Sequence, residues 1–369
     1  MDSNRVLMVA TVAATIGSFN MENIRILQNM GYKVDVAADF TDESVWPAEK
    51  VNAFKELLSD MGVEYIQLNF SRSAFSVRRH IDSYNAAIKL LNERKYRFVH
   101  THTPIASAII RLAAHKTDTK VIYTAHGFHF YKGAPLKNWL VFYPVEKWLS
   151  KYTDVLITIN KEDYARATSK FRAKRTVYVP GVGVDTEKFT PLKLGRERIR
   201  KELGLADSQK MILSVGELNE NKNHISVIKA IKSSDYVYVI VGKGELGERL
   251  HTTAQEYNVD LHLMGYRNDV ADFYSAADLY VLPSIREGLN VSLMEAMASG
   301  LAVTCSNIRG NKDLIDAPCF SPLDVDAIRS AIDEAFSQSK VLGHKNLEKI
   351  KEFSSYEVKK MMSNIYSEG

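Results

Sequence analysis

Short apolar runs alternate with longer amphipathic stretches along the chain. An apolar run at 5–11 is followed by a mixed stretch over 20–30 that ends at Gly31, and a second apolar run covers 32–37. The runs predict buried strands and the mixed stretches predict helices. Strand, helix and strand in succession form a βαβ unit, so we expect a parallel sheet and an α/β fold.

The alternation continues in two series separated by a segment rich in chain breakers. Further strands are predicted at 65–68, 98–102, 120–124, 154–160, 176–179, 211–215, 236–241, 261–264 and 278–282. Between the two series lies 179–189, VPGVGVDTEKF, which reads as a hinge. We therefore predict two α/β domains, 1–188 and 189–353, with a last amphipathic helix over 354–369.

Composition narrows the class of protein, and charge separates the two halves. The chain of 369 residues is 46% hydrophobic and 25% charged, an ordinary globular balance. Cys305 and Cys319 fit a reducing compartment, and no apolar run reaches the ~18 residues of a spanning helix. Residues 1–185 hold 25 Lys and Arg against 18 Asp and Glu, a charge of +7, whereas the rest holds 23 against 26, a charge of −3. A basic half can bind an anionic lipid surface, although a scattered solvated surface explains the same excess.

Residues 281–303, VLPSIREGLNVSLMEAMASGLAV, combine a strand, a loop, a helix and a strand. Glu287 lies in the loop and Glu295 on the first turn of a helix predicted over 292–298. The backbone N–H groups near Asn290, Val291 and Ser292 would be free at the helix N-terminus, where they suit a phosphate. Ser292 and Glu295 also fit a capping box, which needs no ligand.

Two loops of the first half carry candidate chemistry. Gly17 and Ser18 belong to a predicted loop over 14–19, where a glycine lets the backbone approach a ligand or merely makes a turn. The sequences HTH at 100–102 and HGFH at 126–129 invite a metal hypothesis. No carboxylate accompanies either pair, so we expect no metal and interpret His126 as a cleft residue.

In the second half, the loop after the strand at 211–215 holds Gly216, Glu217 and Lys222. The segment 242–247, GKGELG, matches a dinucleotide fingerprint, but it follows a later strand than the first, and the next strand lacks the acidic residue that binds a ribose. We expect this turn to pack closely beneath a nucleotide instead. Asp324-x-Asp326 precedes a predicted helix, so N-terminal capping explains it better than a metal site does.

Several of these segments together resemble one enzyme family. Glu287 and Glu295, with seven residues between them, resemble the E-x7-E signature of the family-4 glycosyltransferases. Similar to that family are also the loop at 16–19, His126-Gly127, the hinge, Lys222, the GYRNDV segment at 265–270 and the last helix. Two positions depart from the pattern: Glu217 stands where the family has an arginine for the donor diphosphate, and Asn223 replaces a glycine.

The resemblance implies a GT-B fold, with two doubly wound Rossmann-like domains facing a cleft and the last helix crossing back to the first domain. It implies a retaining glycosyltransferase whose second domain binds a nucleotide sugar and whose first binds the acceptor. Glu287 would hold sugar hydroxyls, His126 the outer face of the sugar, and Lys222 the departing phosphate. Glu295 would hold the ribose. The other donor contacts would come from Gly17, Ser18, Gly216, Glu217, Gly265, Tyr266, Val270, Leu289, Asn290 and Val291.

The expected reaction moves a hexosyl or N-acetylhexosaminyl group from a UDP-sugar to a lipid-linked saccharide in bacterial capsule or exopolysaccharide synthesis. We expect no cofactor, no metal and no nucleic acid partner. The expected location is the cytoplasm, with peripheral contact at the anionic inner face of the plasma membrane. The segment 136–152 has aromatic and basic residues that suit this contact, although a core helix fits it equally well. A sugar-nucleotide epimerase, a zinc-dependent hydrolase and a non-catalytic nucleotide-binding subunit are the alternatives.

Overall fold

The computed structural model describes residues 4–316 and 318–368, which fall into two compact units. One unit comprises Met1–Val182 with Val358–Gly369, and the other Gly183–Glu357. The boundary lies before the 188 expected from the sequence because the hinge is bonded into the second unit. The N–H of Val184 donates to the carbonyl of Phe353 at 3.0 Å, and the N–H of Ser355 donates to the carbonyl of Val184 at 2.8 Å.

The first unit contains a seven-stranded parallel sheet in the order β3-β2-β1-β4-β5-β6-β7. Its strands are β1 (Arg5–Val12), β2 (Lys33–Asp39), β3 (Glu64–Gln67), β4 (Phe98–His102), β5 (Lys120–Ala125), β6 (Val155–Thr158) and β7 (Arg175–Tyr178). Its helices are α1 (Ala13–Phe19), α2 (Met21–Asn29), α3 (Ala48–Asp60), α4 (Val77–Arg94), α5 (Pro104–Thr117), α6 (Leu136–Leu149) and α7 (Lys161–Lys170).

The second unit contains a six-stranded parallel sheet in the order β10-β9-β8-β11-β12-β13. Its strands are β8 (Met211–Val215), β9 (Val237–Val241), β10 (Asp260–Leu263), β11 (Leu279–Leu282), β12 (Val303–Ser306) and β13 (Cys319–Phe320). Its helices are α8 (Lys193–Glu202), α9 (His224–Ala230), α10 (Gly247–Glu256), α11 (Val270–Ala276), α12 (Val291–Ala298), α13 (Asn311–Leu314), α14 (Val325–Ser337) and α15 (Ser339–Lys349), and α16 (Ser355–Ser367) follows.

Both sheets confirm the prediction of doubly wound α/β domains. Central strands such as β1, β8 and β11 are apolar runs because helices cover both of their faces. In each sheet the strand order reverses once, between β1 and β4 in the first unit and between β8 and β11 in the second. Ligands of open α/β sheets bind beyond the carboxyl ends of the strands at such a reversal. The loops after these strands are therefore the places to examine.

Helix α16 returns to the first unit, as the resemblance implied. The Tyr366 ring stacks on Phe98 with centroids 5.9 Å apart, and its hydroxyl lies 2.8 Å from Nδ1 of His100. Val358, Met362 and Ile365 are buried in the core under β1 and β2. Residues from the far end of the sequence thus complete the first core.

The sequence prediction was wrong in three places. Residues 14–19, expected as a loop, lie in helix α1 because Ala13, Ala14 and Ile16 bury an apolar face there. The helix expected over 136–152 ends at Leu149, and a 3-10 turn follows. Helices α3, α11, α13 and α15 and strand β13 were not predicted. Within the described residues, no helix is long and apolar enough to span a membrane.

Candidate active site

The loops beyond β8, β9 and β10 are joined backbone to backbone. The N–H of Gly242 donates to the carbonyl of Gly265 at 2.8 Å, and the N–H of Leu218 donates to the carbonyl of Lys243 at 3.0 Å. A Cβ atom at Gly242 would lie 1.8 Å from the carbonyl oxygen of Gly216. Gly242 is therefore required by the close approach of two loops, which explains this glycine without a dinucleotide.

Lys222 and Glu287, which were predicted to bind different parts of the ligand, form an ion pair. Nζ of Lys222 donates to Oε1 of Glu287 at 2.7 Å, and both side chains are mostly buried. The Lys222 stem lies over Gly216, with its Cε 3.2 Å from where a Cβ atom of that residue would be. A cation and a carboxylate thus meet beside the carboxyl end of β8.

Helix α12 begins next to this pair and is capped differently from the prediction. Oδ1 of Asn290 accepts from the N–H of Leu293 at 3.0 Å, so Asn290 is the cap and the Ser292-Glu295 capping box is absent. The Ser292 hydroxyl instead donates to the carbonyl of Val215 at 3.0 Å, which holds the helix against the end of β8. Within 4–316 and 318–368, the N–H groups of Val291 and Ser292 have no acceptor. Leu289 and Val291 pack partly against the core.

Glu295 lies on the second turn of α12, one turn later than predicted. Its carboxylate accepts a hydrogen bond from the Tyr274 hydroxyl at 2.8 Å. Burial raises the pKa of Glu295, while Tyr274 and then Lys188 oppose the shift. Tyr274 was not predicted because a buried tyrosine in an apolar helix gives no sequence signal of a polar role.

The predicted base-binding segment forms a turn and the start of α11. Gly265 has φ +64°, Tyr266 is 68% exposed, and Val270 packs partly against the core at the first residue of α11. Arg267 does not point a free charge at this loop, since it pairs with Glu202 at 2.7 Å and with Asp269 at 2.8 Å. The Tyr266 ring is exposed at this turn, and its contact with a base stays a prediction.

The two departures from the family pattern have different structural outcomes. Asn223 has φ +55°, a left-handed conformation that asparagine adopts more readily than most residues, and its amide donates to the carbonyls of Pro283 and Pro322. Glu217 is exposed and accepts from the Asn219 amide at 2.8 Å. Asn223 therefore replaces a glycine without loss of the turn, whereas Glu217 supplies no cation.

In the first unit, Gly17 has a packing role that the sequence did not indicate. A Cβ atom there would lie 2.3 Å from the Trp46 ring, so the missing side chain makes room for packing. Ser18 is exposed near the end of α1. Both residues lie in the segment after β1, at the reversal of the sheet.

Three histidines gather at the carboxyl ends of β4 and β5. Nδ1 of His102 lies 3.1 Å from Nε2 of His126, and the ring of His100 lies between the hydroxyls of Tyr366 and Thr124, each at 2.8 Å. Burial lowers the pKa of His100 to about 3 and lowers that of His102 well below its ordinary value, with smaller contributions from neighbouring histidines. His100 and His102 are therefore neutral at physiological pH.

Both ring nitrogens of His100 and of His102, and Nε2 of His126, are used in protein contacts. In the part of the chain that the structure describes, no group of three or more His, Cys, Asp or Glu residues could hold a metal ion. Asp324 caps α14 through the N–H of Ala327 at 3.0 Å, as expected from the sequence.

Comparison with known proteins decides the family. The model for Glycosyltransferase Family 4 matches residues 17–188, and the model for Glycosyl transferases group 1 matches 195–353. EpsD of Bacillus subtilis (strain 168), named as a glycosyltransferase, is 35% identical over 325 residues, which are 85% of this chain and 81% of EpsD. The chain belongs to glycosyltransferase family 4. A second family relative, the UDP-Gal:alpha-D-GlcNAc-diphosphoundecaprenol alpha-1,3-galactosyltransferase of Escherichia coli, is 33% identical and matches over 65% of each chain.

Solved structures show that this family-4 glycosyltransferase has the GT-B fold. Anabaena Alr3699/HepE in complex with UDP superposes with a TM-score of 0.78 at 16% identity, over 99% of this chain and all of that one. The sucrose-phosphate synthase of Thermosynechococcus elongatus superposes with a TM-score of 0.79 at 18% identity, over 99% and 98%. The family fold thus persists where little sequence is shared.

Proposed function

We propose that the protein transfers a hexosyl or N-acetylhexosaminyl group, with retention of anomeric configuration, from a UDP-sugar to a lipid-linked saccharide in surface polysaccharide synthesis. The E. coli relative supports this choice, since its name gives a UDP-sugar donor and a diphosphoundecaprenol acceptor.

One observation carries the proposal: at the strand reversal of the second sheet, Val215-Gly216 contacts both a cation and a helix N-terminus. Lys222 lies over Gly216, and Ser292 bonds to Val215. The Lys222 ammonium and the N–H groups of Val291 and Ser292 suit the two negative phosphates of a nucleoside diphosphate. Glu287 uses one carboxylate oxygen for Lys222, which leaves the other for a sugar hydroxyl.

The chemistry follows from these groups. The bond between the anomeric carbon and the donor phosphate breaks, and a bond from that carbon to the acceptor oxygen forms on the same face. Lys222 and the α12 N–H groups stabilise the charge on the departing phosphate. The acceptor hydroxyl proton passes to a phosphate oxygen, so no side chain is needed as a covalent nucleophile. Glu295 accepts from the ribose hydroxyls.

A screen of UDP- and GDP-sugars tests this proposal, with thermal stabilisation and donor hydrolysis as readouts. We expect stabilisation by UDP and slow hydrolysis of one UDP-sugar, and transfer to a diphospho-lipid saccharide with the anomeric configuration of the donor seen by NMR. Conversion of the donor to an isomer without acceptor would identify an epimerase instead. Binding without any turnover would identify a nucleotide-binding subunit.

We also propose that the first unit contacts an anionic membrane surface through α6. Five apolar side chains on this helix are 47–73% exposed: Leu136, Leu140, Val141, Val145 and Trp148. Its other aromatic residues, Trp139, Phe142 and Tyr143, pack against the core. The helix is therefore a core element on one side and an exposed apolar surface on the other.

Lysines near α6 and exposed apolar residues at the start of α4 support the same membrane contact. Lys147 lies over the Tyr143 ring and Lys151 over the Trp148 ring, so cations flank the exposed apolar side chains. At the start of α4, which also follows the carboxyl end of a strand, Phe75 is 93% and Val77 62% exposed next to Arg78. Each Lys or Arg near an anionic surface contributes about 1 kcal/mol, so a few give reversible attachment.

Sedimentation with vesicles tests the membrane contact. We expect the full chain to bind vesicles rich in anionic lipid at low salt and to be released from them by high salt. It should not bind neutral vesicles. Leu140→Ser should weaken binding. Leu194→Ser should not, although Leu194, on α8 of the second unit, is at least as exposed as Leu140. Equal loss in both variants, or no binding to anionic vesicles, would exclude α6 as the contact.

A further inference from the structure

His102 lies buried between two partners that have different hydrogen-bonding abilities. Its Nε2 is 3.1 Å from Sδ of Met8, on the neighbouring strand β1, and its Nδ1 is 3.1 Å from Nε2 of His126. His102 is 1% exposed, so water does not replace either partner. A neutral imidazole donates from one nitrogen and accepts at the other, and the two contacts decide which.

The methionine sulfur removes the ambiguity. A thioether accepts weak hydrogen bonds and donates none, so a lone pair on Nε2 would face the sulfur lone pairs without a proton between them. The proton of His102 is therefore on Nε2, and its Nδ1 is an acceptor. That nitrogen requires a donor on the opposite ring, which is Nε2–H of His126.

We infer that His102 is a positioning residue that fixes the tautomer of His126, with the proton on Nε2 and a free lone pair on Nδ1. Desolvation of the ring lowers the pKa of His126 to about 4, so at neutral pH His126 presents an acceptor and no donor at Nδ1. His126 is exposed at the carboxyl end of β5. It would accept a hydrogen bond from a hydroxyl group of a sugar substrate, a step that rests on the proposed function.

A hydroxyl is the group that this arrangement recognises. A phosphate oxygen carries no proton at neutral pH and would meet the Nδ1 lone pair unfavourably, whereas a sugar hydroxyl donates to it. The Met8–His102–His126 series therefore selects a neutral sugar group in the first unit.

Histidine ring NMR tests the inference without any substrate. Full-length protein labelled with 15N-histidine is examined at pH 8, and the His126 signals are identified by their loss in His126→Gln. We expect Nε2 to be protonated and Nδ1 unprotonated. A proton on Nδ1 of His126 would overturn the inference, whatever the enzyme transfers.

Variants at position 102 separate positioning from folding. His102→Asn keeps an acceptor near the place of Nδ1 and should keep the His126 tautomer. His102→Leu removes the acceptor, so Nδ1–H signals should appear and transfer should fall about tenfold. His100→Asn, also buried on β4 but hydrogen-bonded to Tyr366 and Thr124 rather than to His126, should lower the melting temperature and leave the tautomer unchanged.

The combined readouts distinguish the two proposals. Unchanged His126 signals in His102→Leu would overturn the role of His102. The expected tautomer change with no effect on transfer would overturn the contact between His126 and the sugar. Absence of any glycosyl transfer by the unmodified protein, with the expected tautomer, would overturn only the proposed function.

Discussion

The two strand reversals of this enzyme are built from opposite kinds of chemistry. In the second unit, the ion pair of Lys222 and Glu287 and the start of α12 lie beside Val215-Gly216 at the end of β8. In the first unit, buried neutral imidazoles occupy the corresponding edge of the sheet. Charges and backbone N–H groups suit phosphates, while neutral rings suit hydroxyl groups. One fold, used twice in the chain, therefore offers one surface suited to anions and one suited to neutral hydroxyl groups.

The largest effect is expected from a substitution that forces apart the backbones of the loops beyond β8 and β9 in the second unit. Gly242→Ala places a methyl group against the Gly216 carbonyl, so the two loops must separate. We expect the free energy of unfolding to fall by about 3 kcal/mol or more, with loss of nucleotide binding. Gly247→Ala is the matched control, because its nearest neighbour in space is a Leu218 methyl group at 3.8 Å. Urea denaturation of both variants decides the question, and equal losses would contradict it.

Charge at the second surface gives the next largest effect. Lys222→Met removes a phosphate cation and leaves Glu287 unpaired, so we expect kcat/KM to fall by about 10- to 150-fold, from about 1.5–3 kcal/mol for a charged hydrogen bond. Lys232→Met, an exposed lysine beyond the other end of α9, is the control.

Substitution of Glu287, the partner of Lys222, separates the contact with the sugar from the contact with the diphosphate. Glu287→Gln frees Lys222, so the nucleoside diphosphate should bind as well as before or more tightly, while the intact donor loses about 2 kcal/mol with its sugar contact. Calorimetry with diphosphate and donor measures both, and equal weakening of the two ligands would argue against a sugar contact at Glu287.

Glu295 gives a smaller effect with a defined pH dependence. Burial raises its pKa, so the folded state favours the protonated form, and the ionised form opposes folding at neutral pH. Glu295→Gln keeps an acceptor for Tyr274 and should stabilise the protein at pH 7–8, with the gain disappearing below the ordinary glutamate pKa of 4.5. The same variant should bind nucleotide more weakly, because the ribose loses a charged acceptor. Melting temperatures across pH check the first part; a gain that persists in acid would contradict it.

The smallest expected effect is that of a chelator. Because Lys222 and the α12 N–H groups can hold a diphosphate, we expect EDTA to leave transfer within about twofold. If activity were lost in EDTA and restored by manganese or zinc, the reaction would depend on a metal. That result would favour the hypothesis of a metal site at the histidines.

Sequence reasoning reached the architecture because its signals are local. Apolar runs such as Met211–Val215 and the breakers near Pro180 follow from neighbouring residues alone. Contacts between distant segments gave no such signal. The pairing of Lys222 with Glu287 joins residues 65 positions apart, and that of His102 with His126 depends on the register of β4 against β5.

The capping error has the same origin. Ser292 and Glu295 have the spacing of a capping box, but Val215 competes for the Ser292 hydroxyl and Tyr274 for the Glu295 carboxylate. The packing role of Gly17 gave no sequence signal because Trp46, which fills the space beside it, is 29 positions away. The local sequence pattern therefore predicts the helix, whereas residues distant in the sequence determine which hydrogen bonds its polar side chains form.

The return of α16 to the first unit has a consequence for the order of protein synthesis. A ribosome makes Gly183–Glu357 before it makes Val358, Met362 and Ile365, which are buried under the first sheet. Until then, the part of the first unit that is made earlier keeps an apolar groove uncovered, and Phe98 and His100 lack their contacts with Tyr366. The second unit can complete its own core during this time. Translation therefore finishes the second unit first, and the first unit closes only when the last helix emerges.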